Sequence, residues 1–226
     1  MNKNEIIDEL KKVASSEHLS KMSYFGVETS DALGIKTPDI RKIAKRTGCN
    51  HELALELWKT EIHEAKLLAA MIADPNQLTE SDFDMWVKDF NSWDICDCCC
   101  SMFVRVPFAR RKIDEYVDSQ YEFVKRAAFV LMAYFAIHDK SKTDDFFYPF
   151  FEMIERESTD ERNFVKKSVN WALRQIGKRN ENLRLRAISS AEKIKNIDSK
   201  SAHWIASDAL RELKNEKIVL RVNSKK

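Results

Sequence analysis

The chain has 226 residues, of which 44% are hydrophobic and 33% are charged, and this composition excludes a disordered protein. Only 4 glycines and 4 prolines occur, so the scarcity of turn-forming residues disfavours a sheet protein. The net charge is only +2, but residues 1–119 hold 16 basic and 21 acidic side chains, whereas residues 120–226 hold 22 and 15.

The N-terminal residues carry acids where a secretory signal has its apolar core. No apolar run approaches the roughly 18 residues that a membrane span needs. We therefore expect a cytoplasmic protein without a membrane segment, in which structural disulfides are disfavoured.

Residue types that begin helices recur along the whole chain. They occur at Thr37 before Pro38, at Asn50, at Thr79 before Asp82, and at Thr159 or Asp160. Together with the apolar spacing between them, these signals predict ten to thirteen helices and no strand. The predicted fold class is all-α.

Two helical segments repeat. Residues 123–128 (FVKRAA) match residues 164–169 (FVKKSV) at an offset of 41 residues, with fainter echoes around Lys66 and Arg184. An offset near 40 is typical of two-helix HEAT units, whose stacking buries a continuous core. The sequence therefore predicts HEAT-like repeats stacked into a curved α-solenoid, with residues 1–226 forming a single domain.

Basic residues occupy similar places in these copies. The segment 162–186 holds eight basic residues and one acid, Glu181. Stacked repeats are expected to align basic side chains into a row that follows a phosphate backbone. The alternative is that they pair with neighbouring acids or form a solvated face. The predicted row consists of Lys66, Lys125 or Arg126, Lys166 or Lys167, and Arg184.

Residues 91–100 (NSWDICDCCC) hold four of the five cysteines. Cys96 and Cys99 have the spacing of a zinc half-site, but a structural zinc usually takes four ligands. The fifth cysteine, Cys49, lies far away in sequence, and the histidines form no pair at ligand spacing. We predict no metal and no cofactor, and we expect the cysteines to pack as small apolar residues.

Trp93 and Asp97 in the same segment are four residues apart, so a helix places them on one face. A carboxylate beside an aromatic ring stabilises a positive charge. The alternative is an ordinary surface acid and a core tryptophan. Asp94 points about 100° away from Trp93 on a helix, and we expect its removal to have little effect unless Asp94 is a structural cap.

Three motifs together resemble the AlkD-like DNA alkylation-repair glycosylases, which are built from HEAT-like repeats. The motifs are SWDICD (92–97), VKRAAFVL (124–131) and VKKSVNWALR (165–174). The similarity extends from about Leu33 to about Arg211. The W-D-x-x-D element followed by K-K-x-x-x-W-A-L-R is far more specific than helical periodicity.

The resemblance implies that Asp97 is the catalytic carboxylate and that Trp93 and Trp171 are the aromatic residues of the lesion cleft. The arginine of the family's second motif corresponds to Arg126. Ser92 departs from the members that have a second tryptophan at this position. The family's N-terminal DNA contacts fall within residues 21–26. We expect DNA binding by Lys125, Arg126, Lys166, Lys167 and Arg174.

The implied function is hydrolysis of the N-glycosidic bond of cationic alkylpurines, 3-methyladenine and 7-methylguanine, in double-stranded DNA by a monomer. Two alternatives remain: a non-catalytic HEAT-repeat protein that recognises damaged or distorted DNA, and a protein-interaction scaffold. A glycosylase requires Asp97, Trp93 and Trp171 at one cleft, whereas a DNA-binding protein requires only the basic residues. The basic segment disfavours the scaffold, and the Trp-Asp pair favours the enzyme.

Overall fold

The computed structural model describes residues 1–224, and within them the regular secondary structure is entirely α-helical. The all-helical prediction is confirmed. Fourteen helices occur in this range, one more than the upper limit predicted. They are α1 Lys3–Lys12, α2 Ser16–Tyr24, α3 Thr37–Thr47, α4 His51–Trp58, α5 His63–Ile72, α6 Glu80–Lys88, α7 Trp93–Phe103, α8 Ala109–Tyr116, α9 Glu122–His138, α10 Asp144–Glu157, α11 Asn163–Gly177, α12 Glu181–Lys195, α13 Lys200–Leu213 and α14 Glu216–Asn223.

Most of the predicted helix starts are correct. The side chain of Asn50 accepts a hydrogen bond from the Leu53 amide, and that of Thr79 accepts one from the Asp82 amide. These bonds satisfy amides that a helix leaves without an internal partner. Helix α3 begins at Thr37 itself, with Pro38 in its first turn.

The start of α11 differs from the prediction, because the helix begins at Asn163 and not at Thr159 or Asp160. The Oδ1 atom of Asp160 accepts bonds from the backbone amide and from Nε of Arg162, both at 3.0 Å. This local side-chain turn competes with helix formation and delays the helix by three residues.

The chain separates into two compact units, residues 1–109 and residues from 110 onward. No helix within residues 1–224 is long and apolar enough to cross a membrane. In the first unit α5 is central, since it packs against α3, α4 and α7. Its Ala65, Leu68 and Ala69 have no exposed surface.

A buried carboxylate at the start of α5 holds the segment that precedes α3. Glu64 has no exposed surface, and its two oxygens accept hydrogen bonds from the amides of Leu33, Gly34 and Ile35 at 2.8, 2.8 and 3.0 Å. Gly34 has φ +76°, and a Cβ there would lie 2.1 Å from the carbonyl oxygen of Ser15. Glycine is therefore required at this position.

In the second unit, α9, α11 and α13 pack side by side in one layer, and α10 packs against α12 in the other. The side chains of Phe147, Phe150 and Phe151 on α10 are fully buried. The close approach of α11 to its neighbours depends on Gly177, where a Cβ would lie 2.8 Å from Leu213 and 2.9 Å from Ala187.

The predicted repeat is visible in this layer. Helices α9 and α11 begin 41 residues apart, at Glu122 and Asn163, and the rings of Phe123 and Phe164 lie 5.5 Å apart. The Phe164 amide donates to the Glu122 carboxylate at 3.2 Å. Equivalent residues of successive repeats within the second unit therefore contact each other, as stacked repeats require.

We expect Glu64→Gln to lower the free energy of unfolding by about 2 kcal/mol, because an amide group can no longer accept from all three buried donors. Urea unfolding measures this change. Glu61→Gln, an exposed acid three residues earlier, is the matched control and should change little. Equal stability of the two variants would contradict a structural role for Glu64.

Candidate functional site

The first turn of α7 is fixed by the carboxylate of Asp94. The Asp94 Oδ1 atom accepts bonds from the Ser92 hydroxyl at 2.6 Å and from the Ile95 amide at 3.0 Å. Its Oδ2 atom accepts a bond from His63 Nε2 at 2.8 Å. Since His63 is the first residue of α5, this bond ties the starts of two helices together.

Burial alone would raise the pKa of Asp94, but the hydrogen bond and charge of His63, with the bonds from Ser92 and Ile95, outweigh it and lower that pKa. Asp94 also lies in the first turn of α7, where the helix dipole favours a negative charge. Asp94 therefore caps the first turn of α7 and anchors it to α5. A capping role is the case in which we expected the removal of Asp94 to matter.

Trp93 and Asp97 lie one turn apart on α7, and both are half-buried. The indole Nε1 of Trp93 donates to the carbonyl oxygen of Phe25 at 3.1 Å, which fixes the plane of the ring. The end of α2 thus positions an aromatic residue of α7. Near the same end, Tyr24 and Phe25 pack edge to face at 5.3 Å and are 85% and 65% exposed.

The cysteines of α7 form part of the core of the first unit. Cys96, Cys99 and Cys100 have no exposed surface. Burial, assisted by the charge of Asp94, raises the pKa of Cys98 to about 12, and burial also raises the pKa of Cys99 and Cys100. The raised pKa values disfavour the thiolate that nucleophilic attack requires.

Within residues 1–224, no group of three or more His, Cys, Asp or Glu side chains is placed to hold a metal ion. The Ser92 hydroxyl, which bonds to Asp94, is fully buried. Ser92 immediately precedes α7, and its hydroxyl orients the Asp94 carboxylate and does not cap a helix amide.

In the second unit, Trp171 lies on α11 and packs edge to face against Tyr134 of α9, with ring centroids 5.2 Å apart. With the Gln175 amide oriented so that its oxygen faces two donors, that oxygen accepts from Trp171 Nε1 at 2.8 Å and from Lys178 Nζ at 3.1 Å. Both polar and apolar contacts hold the indole, which remains half-buried.

Lys125 and Arg126, predicted as DNA contacts, are only 9% and 5% exposed. The Lys125 ammonium lies 2.5 Å from the Glu157 carboxylate and 3.4 Å from that of Asp160. Arg126 donates to the carbonyl oxygen of Phe164 at 2.8 Å, which links α9 to α11. Both side chains have a structural role in stacking the helices.

The other predicted contacts differ in exposure. Lys167 is exposed, and the half-buried Lys166 has its ammonium 5.4 Å from the ring centroid of Trp204. Arg174 is paired with Glu212 at 2.5 Å and lies 3.5 Å from Asp208. Lys166 and Lys167 are therefore the more accessible cations of the predicted set on α11.

The predicted row of basic residues is wrong at Arg184. This residue lies on α12, in the layer opposite α9 and α11, so it is not aligned with their basic residues. It is 8% exposed and pairs with Glu181 at 2.7 Å. In the first unit, the Lys66 ammonium lies 5.5 Å from the ring centroid of Trp58.

The stacked helical layers define a HEAT-like repeat protein. Comparison with known proteins identifies its family. The sequence matches the family described as DNA alkylation repair enzymes over residues 6–213, and the chain belongs to that family. No curated protein matches the chain.

One solved structure supports the fold. It matches with a TM-score of 0.79 at 20% identity, covering 94% of this chain and 95% of the other. It is described as a new family of proteins related to the HEAT-like repeat DNA glycosylases, with affinity for branched DNA structures. A designed armadillo repeat protein matches with a TM-score of 0.39 at 14% identity, covering 91% of this chain and 90% of the other. The predicted family and HEAT-like fold are confirmed.

We expect Asp94→Asn to lower the free energy of unfolding at neutral pH by about 2 kcal/mol, as is usual for hydrogen bonds to a charged group. Because the folded-state pKa of Asp94 is lowered, its contribution is present above the unfolded pKa of about 4 and is lost as the pH falls through the folded-state pKa. The difference from wild type should therefore narrow in acid.

Urea unfolding at a series of pH values measures this difference. Asp8→Asn, an exposed acid on α1, is the control and should show neither effect. A difference that stays constant from neutral pH into strong acid would show that the charge of Asp94 is not responsible.

Proposed function

We propose that this protein is a DNA glycosylase that hydrolyses the N-glycosidic bond of cationic alkylpurines, such as 3-methyladenine and 7-methylguanine, in double-stranded DNA. The proposal is supported by membership of the DNA alkylation repair family. The observation that carries it is the pair of half-buried side chains, Trp93 and Asp97, one turn apart on a helix whose first turn is fixed.

The proposed chemistry requires little from the protein. A purine alkylated at N3 or N7 already has a positive charge, so it leaves without a general acid. As the bond between C1′ and the purine nitrogen breaks, its electron pair goes to the purine, and positive charge develops on the sugar. The carboxylate of Asp97 stabilises that charge and orients the water that adds to C1′. The products are the free base, an abasic site and a proton released to solvent.

The aromatic residues supply discrimination in this proposal. The face of an indole attracts a cationic base more strongly than a neutral one. Trp93 and Trp171 are each held by a hydrogen bond from the indole nitrogen, to Phe25 and Gln175 respectively. Their rings are therefore positioned before any ligand binds, which lowers the entropic cost of recognition.

A second candidate is a non-catalytic DNA-binding protein. It is favoured by the buried Ser92, which lies where the resemblance implies a second tryptophan in some members and whose hydroxyl bonds to Asp94. The matching structure with affinity for branched DNA supports branched DNA as the ligand in that case. Excision assays on pure protein separate the two candidates.

We expect Asp97→Asn to reduce single-turnover excision of 7-methylguanine from methylated duplex DNA by about 10² to 10³, since such a charge contributes roughly 3–4 kcal/mol to the transition state. DNA affinity should persist, because the change removes negative charge. Asp8→Asn, an exposed acid on α1, is the charge control and should keep full activity. Asp94→Asn, three residues earlier on α7, tests the positioning of the helix and should lose less activity than Asp97→Asn.

An equal loss in Asp97→Asn and Asp94→Asn would assign the effect to α7 and not to the chemistry of Asp97. Equal activity of Asp97→Asn and wild type would contradict the catalytic role. Absence of excision by the wild type, with DNA binding retained, would favour the second candidate.

DNA binding is proposed to involve Lys166 and Lys167 on α11. Each phosphate contact contributes about 0.9 to the slope of log affinity against log salt concentration. Replacing both residues by alanine should therefore lower that slope by up to about 1.8 and weaken binding to every sequence. Fluorescence anisotropy at several salt concentrations measures the slope.

The matched control replaces Lys193 and Lys195, two exposed lysines at the end of α12, by alanine and so removes the same charge. The same slope for the two double variants would remove Lys166 and Lys167 from the proposed interface. Salt-insensitive binding by the wild type would favour a protein-interaction scaffold.

A further inference from the structure

A small basic pocket lies in the second unit, at the C-terminal ends of α9 and α11. It has a volume of about 220 Å³, and its polar lining consists of Gln175 and four cations. The cations are Lys140, Lys178, Arg179 and Arg221. The last of these comes from α14, so three helices that are distant in sequence contribute to the pocket.

The positive charge of this pocket is only partly compensated. Among the described residues, the lining includes no acid. Lys178 lies 2.6 Å from Glu212, but the same carboxylate also pairs with Arg174 at 2.5 Å. Glu212 therefore compensates Lys178 only in part, and a lining with four cations and no acid keeps an excess of positive charge.

Arg179 is held rigidly without losing its charge. Its guanidinium donates to the carbonyl oxygens of Ala136, Asp139 and Lys142 at 3.0, 2.9 and 2.8 Å, and it lies 4.4 Å from the ring centroid of Phe147. Carbonyl groups are neutral, so they fix the guanidinium in place without neutralising it. Asp139 and Asp144 act on it only through longer-range attraction.

Lys140 is close enough to Arg179 to be affected by its charge. Partial burial, followed by the charge of Arg179, lowers the pKa of Lys140. An anion bound in the pocket would relieve the repulsion between these cations, so binding would be favoured electrostatically. At about 220 Å³ the pocket is smaller than the roughly 300–1,000 Å³ typical of sites for larger ligands, which suits a small anion.

We propose that this pocket binds a phosphate group, either that of a DNA backbone or a free phosphate ion. Binding of a DNA backbone phosphate rests on the proposed function, whereas binding of a free phosphate ion does not. Gln175 connects the pocket to the site described above, since its oxygen accepts from both Trp171 and Lys178. A backbone phosphate in the pocket would therefore lie close to the indole of Trp171 and fix the position of the strand relative to it.

The test uses the double variant Lys140→Gln/Arg221→Gln in the full chain. Both side chains are exposed, so the substitutions should leave the fold intact, as circular dichroism can verify. Lys193→Gln/Lys195→Gln removes the same charge from the end of α12 and is the control. Affinity for an unmodified DNA duplex is measured at several salt concentrations, and binding of inorganic phosphate is measured by calorimetry in a phosphate-free buffer.

If the pocket binds a DNA phosphate, the slope of log affinity against log salt should fall by up to about 1.8 in the pocket variant and by less in the control. If the source is free phosphate, the slope should match that of the control, and inorganic phosphate should bind wild type but not the pocket variant. The proposal is overturned if the slopes match and phosphate binding is absent or unchanged. If wild type binds no DNA, the proposed function fails, and the phosphate titration alone decides the role of the pocket.

Discussion

The first unit depends on the first turn of α5, where two adjacent residues hold two other parts of the chain. The Glu64 carboxylate accepts three backbone amides of residues 33–35, and His63 donates to Asp94 of α7. Amides in an irregular segment have no helical partner, and leaving them unpaired in the core would cost free energy. One buried charged acceptor satisfies three of them, and the helix dipole favours its negative charge at this position.

This arrangement also explains how the proposed catalytic helix is positioned. The hydrogen bond between His63 and Asp94 fixes the start of α7, and the carbonyl of Phe25 fixes the ring of Trp93. Asp94 and Asp97 lie on one helix, three residues apart, with different tasks. The Asp94 carboxylate bonds to the Ile95 amide, to Ser92 and to His63, and these bonds lower its pKa. The environment of each carboxylate, and not its residue type, separates a structural role from a proposed chemical one.

The second unit shows how a basic segment serves two purposes. Lys125, Arg126 and Arg184 are buried and bonded to acids or to backbone carbonyls. A buried cation without a partner is strongly destabilising, so these residues hold helices together and present little charge to a ligand. Lys167 stays exposed on the same helix as Arg174, whose charge is compensated by Glu212. Counting basic residues along the sequence therefore overstates the charge that is available to a phosphate backbone.

The sequence by itself determined the helices, the repeat and the spacing of Trp93 and Asp97, because capping, helical propensity and the distance of one turn are local properties. It also predicted that the cysteines pack as small apolar residues, and Cys96, Cys99 and Cys100 are buried in the core of the first unit. Tertiary structure decided the rest. The bond of Asp94 to His63 spans 31 residues, the layer of Arg184 depends on how α12 packs, and the basic pocket combines α9, α11 and α14. Burial and pairing depend on which distant helix faces a side chain, and a pattern along the chain does not contain that information.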